Sequence, residues 1–164
     1  MNNPEQTPAE TTWPGVDTAY DFVIPSYQWI LARFEAVSAR IQSLQAFATT
    51  VTLGVPAVAI SIRGDITFKS VWFISALLLF LAIVIIGLIT RPWGSVILAD
   101  PQKFYDKWLH FQEWEFKKNA IYWAGEHFAA NVSLVNRKAR MMTIMTILFL
   151  VEAGFLLVWI IRGT

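Results

Sequence analysis

The sequence has no cysteine and only two histidines, His110 and His127. Disulfides, thiolate metal sites and a cysteine nucleophile are therefore excluded, and the histidines lack partners at zinc-ligand spacing except for the weak pair His110 and Glu113. A glycine-rich phosphate loop, a nucleophile-elbow serine and His-Glu-x-x-His are also missing. We expect that the protein is not an enzyme and uses no metal or cofactor. A membrane enzyme would need a bound cofactor, such as a haem on one of the two histidines.

Charges of either sign are few and nearly balanced, with 13 Lys and Arg against 12 Asp and Glu. No global positive field therefore points to nucleic acid as a partner. Residues 1–25 contain no Lys or Arg, and they lack the apolar core of a signal peptide. We expect no nucleic-acid partner and no cleaved signal.

Hydrophobic residues, by contrast, are abundant, at 55% of the chain, and aromatic residues make up 15%. Residues 71–90, VWFISALLLFLAIVIIGLIT, contain no charge and lie between Lys69 and Arg91. Roughly 20 apolar residues cross a hydrocarbon layer of ~30 Å, whereas a soluble helix would carry a polar stripe. This stretch predicts a transmembrane helix.

Two further stretches of similar length predict transmembrane helices over residues 45–62 and 141–161. The first lies in the uncharged run between Arg40 and Arg63, and the second ends at Arg162. The chain is therefore expected to be an all-α integral membrane protein with three transmembrane helices, a hairpin plus one.

The other segments are expected to lie outside the lipid core. Residues 1–25 are rich in proline and acids, which predicts a disordered acidic tail. Residues 26–44 have apolar residues at spacings of 3 and 4, which predicts an amphipathic helix with Ser26 as its N-cap. Residues 91–140 predict a long, aromatic-rich helical segment.

The aromatic segment has two interpretations. Its rings are mixed with lysines, so it could lie along the bilayer interface. Alternatively, it stands off the membrane and packs as an antiparallel bundle against residues 26–44, which we favour because aromatic stripes usually form cores. The candidate interfacial or docking residues are Trp108, Phe111, Trp114 and Trp123.

The basic residues predict the orientation in the membrane. Segment 91–140 holds more Lys and Arg than the hairpin loop or the C-terminus, and positive segments tend to stay in the cytoplasm. With three crossings, the N-terminus is expected to be cytoplasmic and the C-terminus outside the cell (inner) membrane.

Glu152 is the one acid inside a predicted span. A carboxyl there favours its neutral form, and intramembrane ionisable groups usually face protein or water. Because Thr49, Thr50 and Thr52 are expected at the same depth, we predict a hydrogen-bonded cluster with Glu152, within one subunit or between subunits. The cluster could hold helices together, which we favour, or a ring of Glu152 carboxyls could line a cation path in an oligomer.

Small residues in the first span suggest close helix packing. Ala46, Thr50 and Gly54 form one row, and Ala57 with Ser61 forms another. Packing within one subunit is the expected role, and a dimer face is the alternative. Pro56 is expected to bend the helix, so the predicted packing residues are Ala46, Gly54, Pro56 and Ala57.

The order of segments resembles a known architecture. An amphipathic helix runs into a transmembrane hairpin (ARIQSLQAFATTVTLGVPAVAI onward), a long helical segment follows, and NVSLVNRKARMMTIMTILFLVEAGFLLVWI ends the chain. This order resembles the SLATT domain and the membrane effectors of Pycsar-type antiphage systems. The resemblance implies an oligomeric effector that permeabilises the inner membrane when a signal arrives.

Two functions follow from the sequence. The preferred hypothesis is a non-catalytic oligomeric helical membrane protein that forms pores or perturbs the membrane. The alternative is a structural or accessory subunit of a larger membrane complex, docked through the aromatic segment. The expected partners are the lipid bilayer and either further copies of the chain or other membrane-complex subunits.

Overall fold

The computed structural model of the chain describes residues 15–63, 68–91, 96–98, 102, 106, 108 and 110–162. These residues form three long helices and include no β-strand. Each helix is long and apolar enough to cross a membrane, which confirms the prediction of an all-helical chain with three such helices. The helices are α1 (Val16–Arg63), α2 (Val71–Thr90) and α3 (Glu113–Arg162).

The N-terminal end of α1 differs from the prediction. Residues 16–25, assigned above to the disordered tail, are helical, while residues 1–14 lie outside the described part of the chain. Ser26 does not cap the helix: its hydroxyl lies inside α1 and donates to the Phe22 carbonyl at 2.8 Å. Pro25 is therefore accommodated within the helix, although its ring removes one backbone donor.

The amphipathic segment and the first predicted span are parts of one helix. Residues 26–44 and 45–62 both belong to α1, and residues 113–140 continue into 141–161 within α3. At 1.5 Å per residue, 48 residues make α1 about 70 Å long, more than twice the thickness of the hydrocarbon layer. Helix α2, in contrast, coincides with the predicted stretch 71–90.

The chain divides into two compact units. Unit 1 contains α1 through Ile30 together with Ile97–Asn131, and unit 2 contains Leu31–Val96 together with the chain from Val132 onward. Helices α1 and α3 each contribute to both units, whereas α2 belongs to unit 2 alone.

Helices α1 and α3 are parallel within unit 2. Phe34 contacts Lys138, Thr52 contacts Glu152, and Ala59 shares a cluster with Trp159, so positions rise together along both helices. Unit 1 shows the same order, with Asp17 against Lys117 and Tyr27 against Trp123. The predicted antiparallel bundle between residues 26–44 and the aromatic segment is therefore wrong. A hairpin of two spans returns the chain to its starting side, so the next helix must begin in the direction of the first.

The described residues of unit 2 form two apolar clusters. The first joins Val37, Ile41 and Ala48 of α1 with Ile83 of α2 and Met145 of α3. The second joins Ala59, Ala76, Leu156 and Trp159, with Phe73 and Phe155 packed against it. Helix α2 runs opposite to its neighbours, since Ala59 near the end of α1 meets Ala76 near the start of α2.

Candidate functional site

Glu152 of α3 lies wholly inside unit 2. Its side chain is 0% exposed, and its Oε1 is in hydrogen-bond contact with the hydroxyl of Thr52, which is itself buried on α1. Glu152 Oε2 is also buried and has no hydrogen-bond partner among the described residues. The carboxyl is therefore enclosed between two parallel helices, and only its Oε1 has a hydrogen-bond partner among the described residues.

The Thr52 hydroxyl has one hydrogen but two oxygen neighbours. Its Oγ lies 2.7 Å from the Ala48 carbonyl of its own helix and also contacts Glu152 Oε1. Both contacts are hydrogen bonds when the carboxyl is a neutral acid that donates to Thr52, which in turn donates to Ala48. In that neutral form the carboxyl requires no cation to balance it.

The other two threonines of the predicted cluster do not reach Glu152. Thr49 donates to the Gln45 carbonyl at 2.8 Å, and Thr50 donates to the Ala46 carbonyl at 3.0 Å. The contact between Thr52 and Glu152 lies within one chain. This arrangement supports helix adhesion, whereas a pore-lining ring would need carboxyls exposed at the subunit surface.

The predicted packing residues are divided between two faces of α1. Pro56 is buried in unit 2, with Ala48, Thr52 and Ala59 on the same face. Ala46 and Ala57 are exposed, and a Cβ placed on Gly54 would meet nothing within 4 Å. The small-residue row that was expected to pack within the subunit therefore lies on its outer surface.

A polar contact between α1 and α2 was not foreseen from the sequence. The side-chain amide of Gln45 reaches the Val84 carbonyl at 3.5 Å and fills the space above Gly87. A Cβ on Gly87 would lie 1.7 Å from Gln45 Nε2, so glycine is what lets the amide approach. A glutamine just inside the uncharged run between Arg40 and Arg63 was the available signal.

Lys138 is a buried cation in unit 2. Its side chain is 5% exposed, and its ammonium lies 4.1 Å from the centroid of the Phe34 ring on α1. Burial lowers the pKa of Lys138, while the ring face offers electrostatic compensation. Lys138, a basic residue just before the predicted span 141–161, is therefore part of the packed interior of unit 2 and not simply a surface charge.

A polar network in unit 1 surrounds Ile97. Asn131 is 1% exposed, and its Oδ1 accepts a hydrogen bond from the Ile97 amide at 3.1 Å, while the Tyr27 hydroxyl donates to the Ile97 carbonyl. Burial raises the pKa of the Tyr27 phenol, and the Asn131 amide opposes that rise. Both backbone groups of one residue between α2 and α3 are therefore held by side chains of α1 and α3.

Most of the aromatic residues predicted for docking make contacts within unit 1. Trp123 packs edge-on against Tyr27 with ring centroids 5.5 Å apart, and Trp108 packs against Phe116 at 5.8 Å. Trp114 donates its indole N–H to Gln112 at 2.8 Å, and Phe111 is 39% exposed. Among the described residues of this unit, Phe22 and Tyr122 are the most exposed aromatics, at 74% each, and they were not among the predicted residues.

Within the described ranges, no three His, Asp or Glu side chains come together as a metal site. His127 instead packs against Trp123, with ring centroids 4.8 Å apart. The charges of unit 1 meet at Lys117, whose ammonium lies 2.7 Å from Asp17 and 2.6 Å from Glu113. These contacts raise the pKa of Lys117, that with Asp17 more than that with Glu113.

Comparisons of the chain with known protein families, with curated proteins and with solved structures found no match.

Proposed function

We propose that the chain is a non-catalytic, oligomeric helical membrane protein whose assembled form perturbs the bilayer. The membrane assignment rests on unit 2, where large apolar side chains are exposed and a carboxyl is buried. Glu152 is enclosed at 0% exposure, while large apolar side chains such as Leu78, Leu150 and Leu157 are more than 60% exposed. A soluble unit would reverse this distribution, because exposed apolar area costs free energy in water and none in lipid.

Within this proposal, residues 45–62, α2 and residues 141–161 are the three crossings of the cell (inner) membrane. The N-terminus and segment 91–140 lie in the cytoplasm, and the loop between α1 and α2 and the C-terminus lie outside. The parallel course of α1 and α3 agrees with this topology, because both helices then enter the membrane from the cytoplasmic side.

The perturbing activity rests on the resemblance to SLATT-type effectors, and oligomerisation is supported by the small residues on the outer face of α1. Because Glu152 is enclosed in one chain, the proposal assigns it to helix adhesion. It does not assign Glu152 to ion passage.

Expression of the chain alone in bacterial cells, with a potential-sensitive dye as the readout, tests the activity. Cells that express the chain should depolarise, and Glu152→Gln should act like the parent chain because the carboxyl lines no path. Leu81→Arg is the matched control, since a charge at the middle of α2 opposes insertion and should abolish depolarisation. Full polarisation of cells that hold the parent chain in their membrane would contradict the activity.

The exposed rings of unit 1 favour a second candidate, an accessory subunit of a larger membrane complex. Phe22 and Tyr122 are 74% exposed, and large exposed rings are typical anchors of protein interfaces. An orphan accessory subunit should leave the membrane potential unchanged and be degraded when expressed alone. The same expression experiment therefore separates the two candidates.

A further inference from the structure

The outer face of α1 carries a heptad pattern. Nine exposed residues on this face follow one another at alternating spacings of 4 and 3, which is the period of a left-handed coiled coil. We call them the outer seam; they are Ala32, Ala36, Ala39, Ser43, Ala46, Thr50, Leu53, Ala57 and Ile60. All nine belong to unit 2. The opposite face of α1, through Val37, Ile41 and Ala48, packs against the chain's own α2 and α3.

The outer seam differs from the other outward faces of unit 2. The exposed positions of α2 are all Val, Ile or Leu, among them Leu78 and Ile85, and most exposed positions of α3 between 144 and 161, such as Leu150, are also large and apolar, as expected where lipid is the neighbour. Seven of the nine seam positions are Ala, Ser or Thr instead. Small residues let helix backbones approach closely, which favours a protein neighbour over lipid.

Charges beside the seam point to the identity of that neighbour. In the heptad register, Glu35 occupies position g and Arg40 occupies position e of the following heptad. In a parallel two-stranded coiled coil, position g of one helix meets position e five residues further along its partner. Glu35 would therefore face Arg40 of a second α1, twice by symmetry. Both residues are exposed, and neither makes an ion pair within the described part of the chain.

In an antiparallel arrangement position g faces g and position e faces e, so Glu35 and Arg40 would lie on opposite flanks of the contact and could not pair with each other. Two copies inserted in the same membrane are necessarily parallel, so topology and charge select the same arrangement. We infer that the outer seam is the interface with a second copy of this chain, in a parallel dimer with its two-fold axis along the membrane normal. The same patch on both copies closes the assembly at two subunits.

This inference rests on the proposed membrane function, and cross-linking tests it in native membranes. Because the chain has no cysteine, single substitutions report one position each. Ala39→Cys lies in the seam and should form a disulfide-linked dimer on oxidation. Asn136→Cys is the matched control: it is exposed on α3, near the level of the Phe34 and Lys138 contact, and should stay monomeric.

Charge reversals in the Ala39→Cys chain test whether pairs between Glu35 and Arg40 stabilise the interface. Glu35→Arg and Arg40→Glu should each weaken self-association roughly tenfold, because two attractive pairs become repulsive. The double variant has the parent's net charge and should restore cross-linking. Failure of the double variant to recover would overturn the interface, as would equal cross-linking at Asn136→Cys or a conjugate whose mass is not twice that of the chain.

Carbonate extraction of the same membranes distinguishes a failure of the membrane assignment from a failure of the seam interface. Release of the parent chain into the soluble fraction would contradict the membrane assignment itself. A chain that stays in the membrane but does not cross-link through Ala39→Cys would overturn the seam interface alone.

Discussion

The two units solve the burial of polar groups differently. Unit 2 encloses one carboxyl and one hydroxyl between parallel helices and presents large apolar residues outward. Unit 1 is held by aromatic pairs, by the network around Ile97 and by an exposed ion pair at Lys117. In lipid an unpaired polar group has no water to hydrogen-bond with, whereas charges at a water-facing surface remain hydrated. The contrast supports the proposal that unit 2 lies in lipid and that unit 1 faces water.

If this contrast is correct, substitutions of buried groups should have larger effects than substitutions of charges at the surface. The expected effects fall in the order Glu152, Asn131, Phe34 with Lys138, and Lys117. Each can be measured as the thermal or denaturant midpoint of the purified protein in detergent or bicelles, with tryptophan fluorescence as the signal.

Replacement of Glu152 by alanine should have the largest effect. It leaves a cavity in a fully buried site and should lower the free energy of unfolding by about 3 kcal/mol. Glu152→Met keeps the volume and removes the unpaired Oε2, so it should remain within about 1 kcal/mol of the parent. Leu150→Ala, at an exposed position on the same helix, is the control. A Glu152→Met protein as unstable as Glu152→Ala would show that the hydrogen bond dominates over volume.

Asn131→Ala should be next. It removes the acceptor of the Ile97 amide and should destabilise unit 1 by about 2 kcal/mol, because a buried donor loses its partner. Hydrogen exchange at the Ile97 amide should accelerate in parallel. Asn136→Ala replaces an exposed asparagine of the same helix and should leave both measurements unchanged. Protection of the Ile97 amide in Asn131→Ala would contradict the network.

Phe34→Leu should lower the free energy of unfolding by about 1 kcal/mol, since it removes the ring that faces the buried ammonium of Lys138.

The buried ammonium of Lys138 also predicts that stability depends on pH. Its pKa in the folded protein lies below the ordinary 10.5, so the folded state binds fewer protons than the unfolded state, and stability should rise as the pH increases toward 10.5. Tyr27 acts in the opposite direction only above the ordinary phenol pKa of 10.0.

Lys138→Met should abolish the rise with pH and match or exceed the parent's stability near pH 8, because it removes a buried charge. Persistence of the same pH dependence in Lys138→Met would assign it to another group.

Lys117→Met should have the smallest effect. Its carboxylate partners are 79% and 83% exposed, so water and salt screen both ion pairs. The thermal midpoint should not change beyond experimental scatter, and the parent should show no loss of stability in high salt. A large, salt-sensitive change would mean that the charges of unit 1 are less hydrated than their exposure indicates.

The sequence predicted α2 to the residue because an uninterrupted apolar run between two charges has one physical interpretation. It did not predict the start of α1, because Pro25 beside Ser26 fits an N-cap as well as it fits a helix interior. The lengths of α1 and α3 were also missed, since a change from polar to apolar composition marks a change of surroundings and need not mark a helix end.

The candidate site was predicted in part. The depth of Glu152 pointed to the threonines of α1, but only the facing of the helix could select Thr52 over Thr49 and Thr50. For the same reason, the small residues of α1 were recognised but assigned to the wrong face, because periodicity groups residues into faces without saying which one turns inward. Lys138 and Asn131 were missed because charged and amide side chains are usually exposed.

In the proposed topology, the protein crosses the membrane with α1 and α3 entering from the cytoplasmic side. Labelling of single-cysteine variants in intact cells with a membrane-impermeant thiol reagent tests it most directly, with Lys69→Cys and His110→Cys as the two reporters. With this topology, Lys69→Cys should be labelled in intact cells and His110→Cys only after permeabilisation. Labelling of His110→Cys in intact cells, with Lys69→Cys protected, would contradict it.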